Sequence, residues 1–222
     1  MDVKLISYSQ APQDWDYGDN VQELIAFCAR VSNPSNQMNS ETSEKLIKYL
    51  IKHAHWSPLE MVSACLEIDT TRDIAHQIVR HRSFSFQEFS QRYANPQDMG
   101  DMFEYREARL QDEKNRQNSI EIDDDYLQEE WNIHQKNVIK AAKEAYDWAI
   151  NNGIAKEQAR AVLPEGCTKT RLYMNGTLRS WIHYIELRGA NGTQKEHMEI
   201  AHACADVIAE IFPLAEDLLS EG

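Results

Sequence analysis

The sequence predicts an α+β fold, a mixed or antiparallel sheet packed with several long helices in one domain. Three observations carry this reading. Apolar residues recur at helical spacing through most of the chain. Two short segments alternate apolar and polar residues instead, Val62-Ala64-Leu66-Ile68 and Thr170-Leu172-Met174. The strands do not alternate regularly with helices, which disfavours a doubly wound parallel sheet. At 222 residues the chain can bury one substantial core, so a single domain over 1–222 is the expectation.

Element by element, Val3 and Leu5 with Tyr8 mark a short first strand. Val21, Leu24, Ile25, Cys28 and Ala29 follow helical spacing. Asn33-Pro34-Ser35-Asn36 interrupts the chain. Leu46, Ile47, Leu50 and Ile51 define a second helix, capped from residues 40–43 and ending near His53-Ala54-His55, because Pro58 disfavours helix before it. After the strand at Val62–Ile68, Thr70-Thr71 are positioned to cap a helix with Asp73 in its first turn. Ile74 and Ile78 hold that helix to the core, and Gln77, Arg80 and His81 fall on one face of it.

Residues 95–125 are polar, acidic and poor in aliphatics, and read as an insertion or mobile excursion. Tyr126–Asn152 reads as a long helix that buries Leu127, Trp131, Val138, Ala142, Ala145 and Ala149 and stops at Gly153. A short helix carries Arg160 and ends at Pro164. The strand at Thr170–Met174 is followed by a helix through Leu178, Ile182 and Ile185. A last helix runs through Ile200, Ala203, Cys204, Val207, Ile208 and Ile211.

Composition narrows the function classes. The formal net charge of −13 disfavours a nucleic-acid polymer as partner, since that would call for a basic face. No apolar run approaches the ~20 residues of a membrane span. The opening Met1-Asp2-Val3-Lys4-Leu5-Ile6-Ser7 lacks the basic-then-apolar order of a secretory leader, so a cytoplasmic protein is expected. Acid concentrates at Asp112-Glu113, Asp123-Asp124-Asp125 and Glu129-Glu130. Arginines cluster elsewhere, at Arg80, Arg82 and Arg92 and at Arg171, Arg179 and Arg188. That separation suits a small anionic ligand, with solvated surface and ordinary ion pairs as the alternative.

Cys28, Cys65, Cys167 and Cys204 are widely spaced, which argues against a zinc site or a disulfide framework. The first two and the last lie in apolar patterns and read as core. Cys167 follows Pro164-Glu165-Gly166 in a loop with no activating base nearby in sequence. His53 and His55 are two apart without the acidic residue of a zincin pattern, so no metal is expected. There is no glycine-rich dinucleotide or phosphate loop.

The densest polar cluster is Gln77 to Tyr93. Arginine forks match phosphate oxygens, Ser83, Ser85 and Ser90 add hydroxyls, and Phe84, Phe86 and Phe89 can pack beneath a site or stack on a ring. A solvated helix end is the competing reading. A second cluster places Arg179 and His183 on one helical face with Arg188 at the helix end, where a charge favourable to the helix dipole would explain it equally well.

Within the first cluster, Arg80-His81-Arg82, seven residues, Ser90, then Arg92-Tyr93 resembles the signature of the flavin-dependent thymidylate synthases. His55-Trp56-Ser57-Pro58-Leu59-Glu60 is similar to that family's His-x-Thr/Ser-Pro-x-Glu segment. Ala159-Arg160-Ala161-Val162-Leu163-Pro164 is similar to its Ala-Arg-x-x-Leu-Pro element. Arg179, Ser180, His183 and Leu187-Arg188 match its late helix, and Gln194 and Glu196 its Ala-Gln-x-Glu tail, with Thr193 in place of Ala. The matches run in family order from about residue 21 to 210.

The resemblance implies a thymidylate synthase that methylates dUMP to dTMP. Methylenetetrahydrofolate would be the one-carbon donor, FAD reduced by NADPH the hydride carrier, and tetrahydrofolate the released product. It implies a homotetramer with active sites shared between subunits and no cysteine nucleophile. Carried over by position, flavin contacts would be Ser57, Arg80, His81, Arg82, Glu88, Thr177, Leu178, Arg179 and His183. The dUMP contacts would be Gln77, Ile78, Val79, Arg80, Glu88, Phe89, Ser90, Gln91, Arg92, Arg160 and Arg188. Arg188 would be the catalytic residue, its cation stabilising the uracil anion. His55 would help place folate or nicotinamide. Thr177 stands where the family often has Asn, which puts a side-chain amide contact to flavin in doubt. A flavoprotein without synthase activity, and a helical interaction module using the acidic segment, are the competing readings.

Overall fold

The computed structural model describes residues 2–15 and 20–215; residue 1, residues 16–19 and residues 216–222 of the expected domain lie outside the described residues. Strands β1 (Asp2–Tyr8), β2 (Ser63–Thr71), β3 (Ser85–Glu88) and β6 (Lys169–Thr177) form one sheet in the order β1-β2-β6-β3. Every neighbouring pair is antiparallel, so of the two sheet types expected the antiparallel one is found.

Period-two alternation decides which face is buried. Ala64, Leu66, Ile68 and Thr70 of β2 and Thr170, Leu172 and Met174 of β6 turn inward, in a register that sets Leu66 opposite Met174 and Ile68 opposite Leu172. Helices α6 (Leu178–Gly189) and α7 (Lys195–Ala209) cover that face, and Trp181, Ile182, Ile185, Ile200, Cys204 and Ile208 fill the core. The Trp181 indole N–H, a buried donor that needs a partner, donates to the Ala64 carbonyl at 3.0 Å. The outer face of β2 and β6 is polar: Arg171 grips Asp69 through Nε and Nη2, both at 2.6 Å.

Helices α1 (Val21–Ala29) and α2 (Ser43–Lys52) pack against the same core through Ile25, Ile47 and Leu50. Asn20 caps α1 by accepting from the Glu23 N–H at 3.0 Å. Helix α3 (Arg72–Ile78) begins in the residue after β2, and α6 in the residue after β6. The first charged cluster follows the C-terminal end of α3, and the second runs along α6 from Arg179 in its first turn to Arg188 in its last, so both are carried by helices anchored in the core.

Several expectations need correction. Thr71 stands at the N-cap of α3 but makes no capping hydrogen bond; its hydroxyl donates to the Asp73 carboxylate and accepts from Arg106 instead. Helix α3 ends at Ile78, so Arg80 and His81 occupy the following turn and do not share a helical face with Gln77. The motif's serine and phenylalanine run contains an unexpected strand, β3, paired to β6 from Ser85 opposite Asn175 to Glu88 opposite Leu172. Cys28 and Cys65 are partly exposed, and only Cys204 of the three expected core cysteines is buried.

Residues 95–125 fold against the body. Asn95 and Asp98 form a capping box on a 3-10 turn, and Phe103 bridges to Thr168. Strands β4 (Arg109–Gln111) and β5 (Ser119–Glu121) then make an antiparallel hairpin. Helix α4 (Asp125–Asn151) follows, capped by Asp124, and its stop is met as expected by Gly153 at φ +77°. Short helix α5 (Lys156–Ala159) and a 3-10 turn over Arg160–Val162 lead back to β6.

The buried stripe of α4 is the expected one only in part, at Ala142 and Ala149. Gln135, Ile139, Ala142, Tyr146 and Ala149 face inward, while Leu127, Trp131, Val138 and Ala145 are exposed. At about 100° per residue those four fall on an adjoining stripe rotated by roughly one residue. Gln135 takes an inward place because its amide accepts from the Arg106 N–H and donates to the Arg106 carbonyl, both at 2.8 Å, which satisfies it without water.

Candidate functional site

The turn after α3 meets the end of α6. Arg188 Nε donates to His81 Nε2 at 2.9 Å, although 107 residues separate them. The His81 ring stands edge-on to Tyr184 at 5.0 Å. Burial first, and the Arg188 charge second, hold the His81 imidazole below its ordinary value and so keep it neutral. Beneath this corner Phe84 is buried against Trp181, with ring centroids 4.8 Å apart, so it serves as floor and not as an exposed stacking surface.

Behind the corner lies a polar chain whose members Tyr184 and His197 were not anticipated. His197 is fully buried, and its Nε2 is 3.2 Å from the Tyr184 hydroxyl and its Nδ1 3.3 Å from Gln77 Oε1. Gln77 Nε2 donates to Gln194 Oε1 at 2.8 Å, and Gln194 Nε2 donates to Glu196 Oε2 at 2.9 Å. Arg106 and Arg109, carried by the 95–125 segment, contact the Glu196 carboxylate at 2.9 and 2.5 Å. A signal for His197 existed in the sequence: it lies three and four residues before Ile200 and Ala201 and seven before Cys204, on the buried stripe of α7. Arg106 and Arg109 offered only their three-residue spacing amid acidic neighbours.

Burial pushes the Glu196 carboxyl upward, but its own backbone N–H, Arg106, Gln194 and Arg109 outweigh that and hold it below the usual value. Burial drives His197 down to about 3, with Arg188 and His81 adding to the effect. Burial pushes the Tyr184 phenol well up. The corner is thus built from a neutral imidazole pair, a protonated phenol and an ionised carboxylate whose charge is met by two guanidinium groups.

The other expected residues divide into two groups. Ser57 lies exposed at the start of a 3-10 turn whose Glu60 pairs with Arg179, and the preceding Trp56 ring contacts His183 with centroids 4.4 Å apart. Thr177 accepts from the Ser180 N–H at 3.4 Å as the cap of α6, so its hydroxyl already has a structural partner, and Leu178 is buried in the core. His55 is exposed beside Tyr49 and His53. Within the second group, Glu88 Oε1 accepts from Thr170 at 2.9 Å and pairs with Arg72 at 3.2 Å. Arg92 pairs with Glu157 at 3.6 Å, and Lys156 Nζ donates to the Tyr93 carbonyl at 3.0 Å. These contacts tie the turn holding Phe89, Ser90, Gln91 and Arg92 to α5, which ends beside Arg160. Ile78 is buried and Val79 half-buried, so either would offer a ligand its backbone.

Two observations favour an anionic, hydrogen-bonding ligand. Among the described residues, the Arg80, Arg82 and Arg160 guanidinium groups make no ion pair, and Arg80 and Arg82 are exposed. Gln91 is buried, yet its amide Nε2 has no partner there, an orphaned donor of the kind a ligand oxygen would satisfy. Cys167 sits beside a cleft of about 390 Å³ lined also by Trp131, Val138, Arg106 and Glu196, and burial pushes its thiol up, the reverse of what a nucleophile needs.

Comparison with known proteins gives a consistent result. Residues 15–214 match the family described as thymidylate synthase complementing protein. The chain is 48% identical over 214 residues to a probable flavin-dependent thymidylate synthase of Paramecium bursaria Chlorella virus 1, covering 96% of each chain. It is 47% identical over 215 residues to the flavin-dependent thymidylate synthase of Synechocystis, again covering 96% of each. The crystal structure of the UMP/dUMP methylase PolB from Streptomyces cacaoi shares the fold, with a TM-score of 0.82 at 24% identity over 99% of this chain and 94% of that one.

Proposed function

The chain belongs to the thymidylate synthase complementing protein family, and from that premise we propose that it is an FAD-dependent thymidylate synthase that methylates dUMP to dTMP. The observation that carries the reading is the meeting of Arg188 with the Arg80-His81-Arg82 turn, which joins two family motifs at one point. The residues present fit FAD and a nucleotide. Arg80, Arg82 and Arg160 offer guanidinium groups to phosphate, and the Gln91 amide lacks an acceptor. Reduced by NADPH, bound FAD would supply the hydride, with methylenetetrahydrofolate as one-carbon donor and tetrahydrofolate as released product.

In this reading Ser57, Arg80, His81, Arg82, Glu88, Thr177, Leu178, Arg179 and His183 hold the flavin, Thr177 and Leu178 through their backbone. The segments Gln77–Arg80 and Glu88–Arg92, with Arg160, hold dUMP, the arginines on its phosphate. Arg188 is the catalytic residue. Its permanent cation, oriented by His81, stabilises the negative charge left when a uracil ring nitrogen loses its proton, which makes the ring carbon more nucleophilic. His55, exposed at the surface, positions folate or nicotinamide.

The protein acts in the cytoplasm, where these phosphorylated substrates are held. It acts as a homotetramer whose sites combine subunits; the uncovered stripe Leu127, Trp131 and Val138 on α4 supports such an assembly.

The test is tritium release from dUMP labelled on carbon five, in the presence of methylenetetrahydrofolate and NADPH, with and without FAD. FAD-dependent release with dTMP as product is the expected result. A folded, flavin-loaded protein that releases no tritium would instead be a flavoprotein without synthase activity.

A further inference from the structure

The polar chain behind Arg188 has a direction, and its chemistry fixes it. Glu196 is ionised, held so by its backbone N–H, Arg106 and Arg109, and an ionised carboxylate can only accept. Gln194 must therefore present its NH2 to Glu196, which leaves its carbonyl to accept. Gln77 must then present its NH2 to Gln194 and its carbonyl to His197. His197 in turn must carry its proton on Nδ1, which leaves Nε2 to accept from the Tyr184 hydroxyl. Each amide orientation and the imidazole tautomer follow from one anion at the end of the chain.

We propose that Glu196, neutralised by Arg106 and Arg109 of the 95–125 segment, is a positioning residue that fixes the side-chain orientation of Gln77 in the dUMP site. The proposal rests on the functional reading above for the identity of the ligand, but the ordering of the chain does not depend on it. Glu196 lies 119 residues from Gln77 in sequence and reaches it through Gln194 alone. The 95–125 segment acquires a role by the same geometry: without its two arginines the buried carboxylate would be uncompensated, and burial would favour its protonation. A protonated or neutral group at that place can donate as well as accept, and the direction of the chain would be lost.

The experiment uses Gln194→Met and Glu196→Gln in the full-length, FAD-loaded protein. Gln194→Met removes the link at nearly constant volume and leaves the Glu196–arginine cluster whole, so it tests the idea even if Glu196→Gln misfolds. Three readouts are taken: dUMP affinity by calorimetry, the KM for dUMP against kcat, and the His197 ring ¹⁵N shifts, which report its tautomer. In the parent, His197 should show a protonated Nδ1 and an unprotonated Nε2. Both variants should weaken dUMP binding and raise its KM about tenfold, the loss of roughly one good hydrogen bond, with a smaller change in kcat. Both should also give mixed His197 tautomers, and Glu196→Asp should restore part of the affinity. Parent-like dUMP affinity with an unchanged His197 tautomer in Gln194→Met would overturn the proposal. If the tautomer responds but neither parent nor variant binds dUMP, the ordering stands as a structural fact, the link to dUMP is overturned, and the functional reading fails with it.

Discussion

Arg188 Nε donates to His81 Nε2 across 2.9 Å, which requires that nitrogen to be unprotonated. The pair is self-consistent, because burial and the Arg188 charge both hold His81 below its ordinary 6.5. Arg188→Ala removes the second influence and leaves the first. In an NMR titration of the imidazole C–H signals, His81 should move upward on this substitution and still stay below 6.5. An unmoved titration would mean that the two side chains do not meet in solution.

The same substitution separates catalysis from flavin binding. Arg188→Ala should reduce thymidylate formation by about 10²–10³-fold, the usual cost of removing one preorganised charge at a developing anion. The absorbance of retained FAD should remain close to that of the parent. His81→Ala should do the converse to the cofactor and weaken flavin retention on gel filtration. Near-normal turnover by Arg188→Ala, measured by tritium release, would remove it from the catalytic role.

His197 couples the site to acid stability. Its pKa is near 3 in the folded protein and near 6.5 in the unfolded chain, so the unfolded state takes up a proton first. The stability that a neutral His197 permits is fully present above pH 6.5 and is lost progressively as pH falls towards 3. Between pH 6.5 and 4.5 the loss should be about 2–3 kcal/mol. His197→Gln keeps hydrogen-bonding capacity but does not titrate. Urea midpoints measured at both pH values should fall much less in this variant than in the parent; equal falls would assign the acid sensitivity to other groups.

Close packing beneath the motif gives a steric prediction. A Cβ added to Gly176 would overlap Phe84 Cδ1 and stand 2.7 Å from Cε1. Phe84 cannot retreat freely, since Trp181 and Tyr184 pack against its ring. Gly176→Ala should therefore destabilise the fold by about 1–3 kcal/mol despite its small size. The combined variant with Phe84→Leu should recover part of that, as judged by thermal unfolding. A lone Gly176→Ala with parental stability would show that the ring moves aside without cost.

What could be read in advance follows from range. The alternation in β2 and β6 and the helical periods of α1, α2, α6 and α7 are local, and each predicts its own element. The strand β3 escaped because Ser85, Phe86, Gln87 and Glu88 are only four residues long, and they pair through an edge of β6 that no local pattern announces. Arg80, His81 and Arg188 stood out through a resemblance in motif. Their contact depends on α3 stopping at Ile78, before Arg80 and His81, which the spacing had placed on the helix. Glu196 was visible as a motif residue, but the two arginines that neutralise it come from a segment whose composition resembles solvent-exposed chain. Packing partners 87 or more residues away leave no periodicity to read.

The α4 stripe shows how the error of one residue in rotation becomes a prediction about assembly. Leu127, Trp131 and Val138 were expected inside; in the monomer they are 36, 41 and 54% exposed. They adjoin the stripe that α4 does bury, so the helix carries apolar surface beyond what its own chain covers. Burial of such a patch in a subunit interface is the ordinary outcome. The parent chain should sediment with a mass near four times 25.7 kDa. Val138→Glu places a charge on the most exposed residue of the stripe without replacing the buried residues Ile139 and Ala142. It should lower the mass while leaving the far-ultraviolet circular dichroism unchanged, and thymidylate synthesis should fall with the mass if sites are shared. A fourfold mass retained by Val138→Glu would show that the tetramer is built on another face.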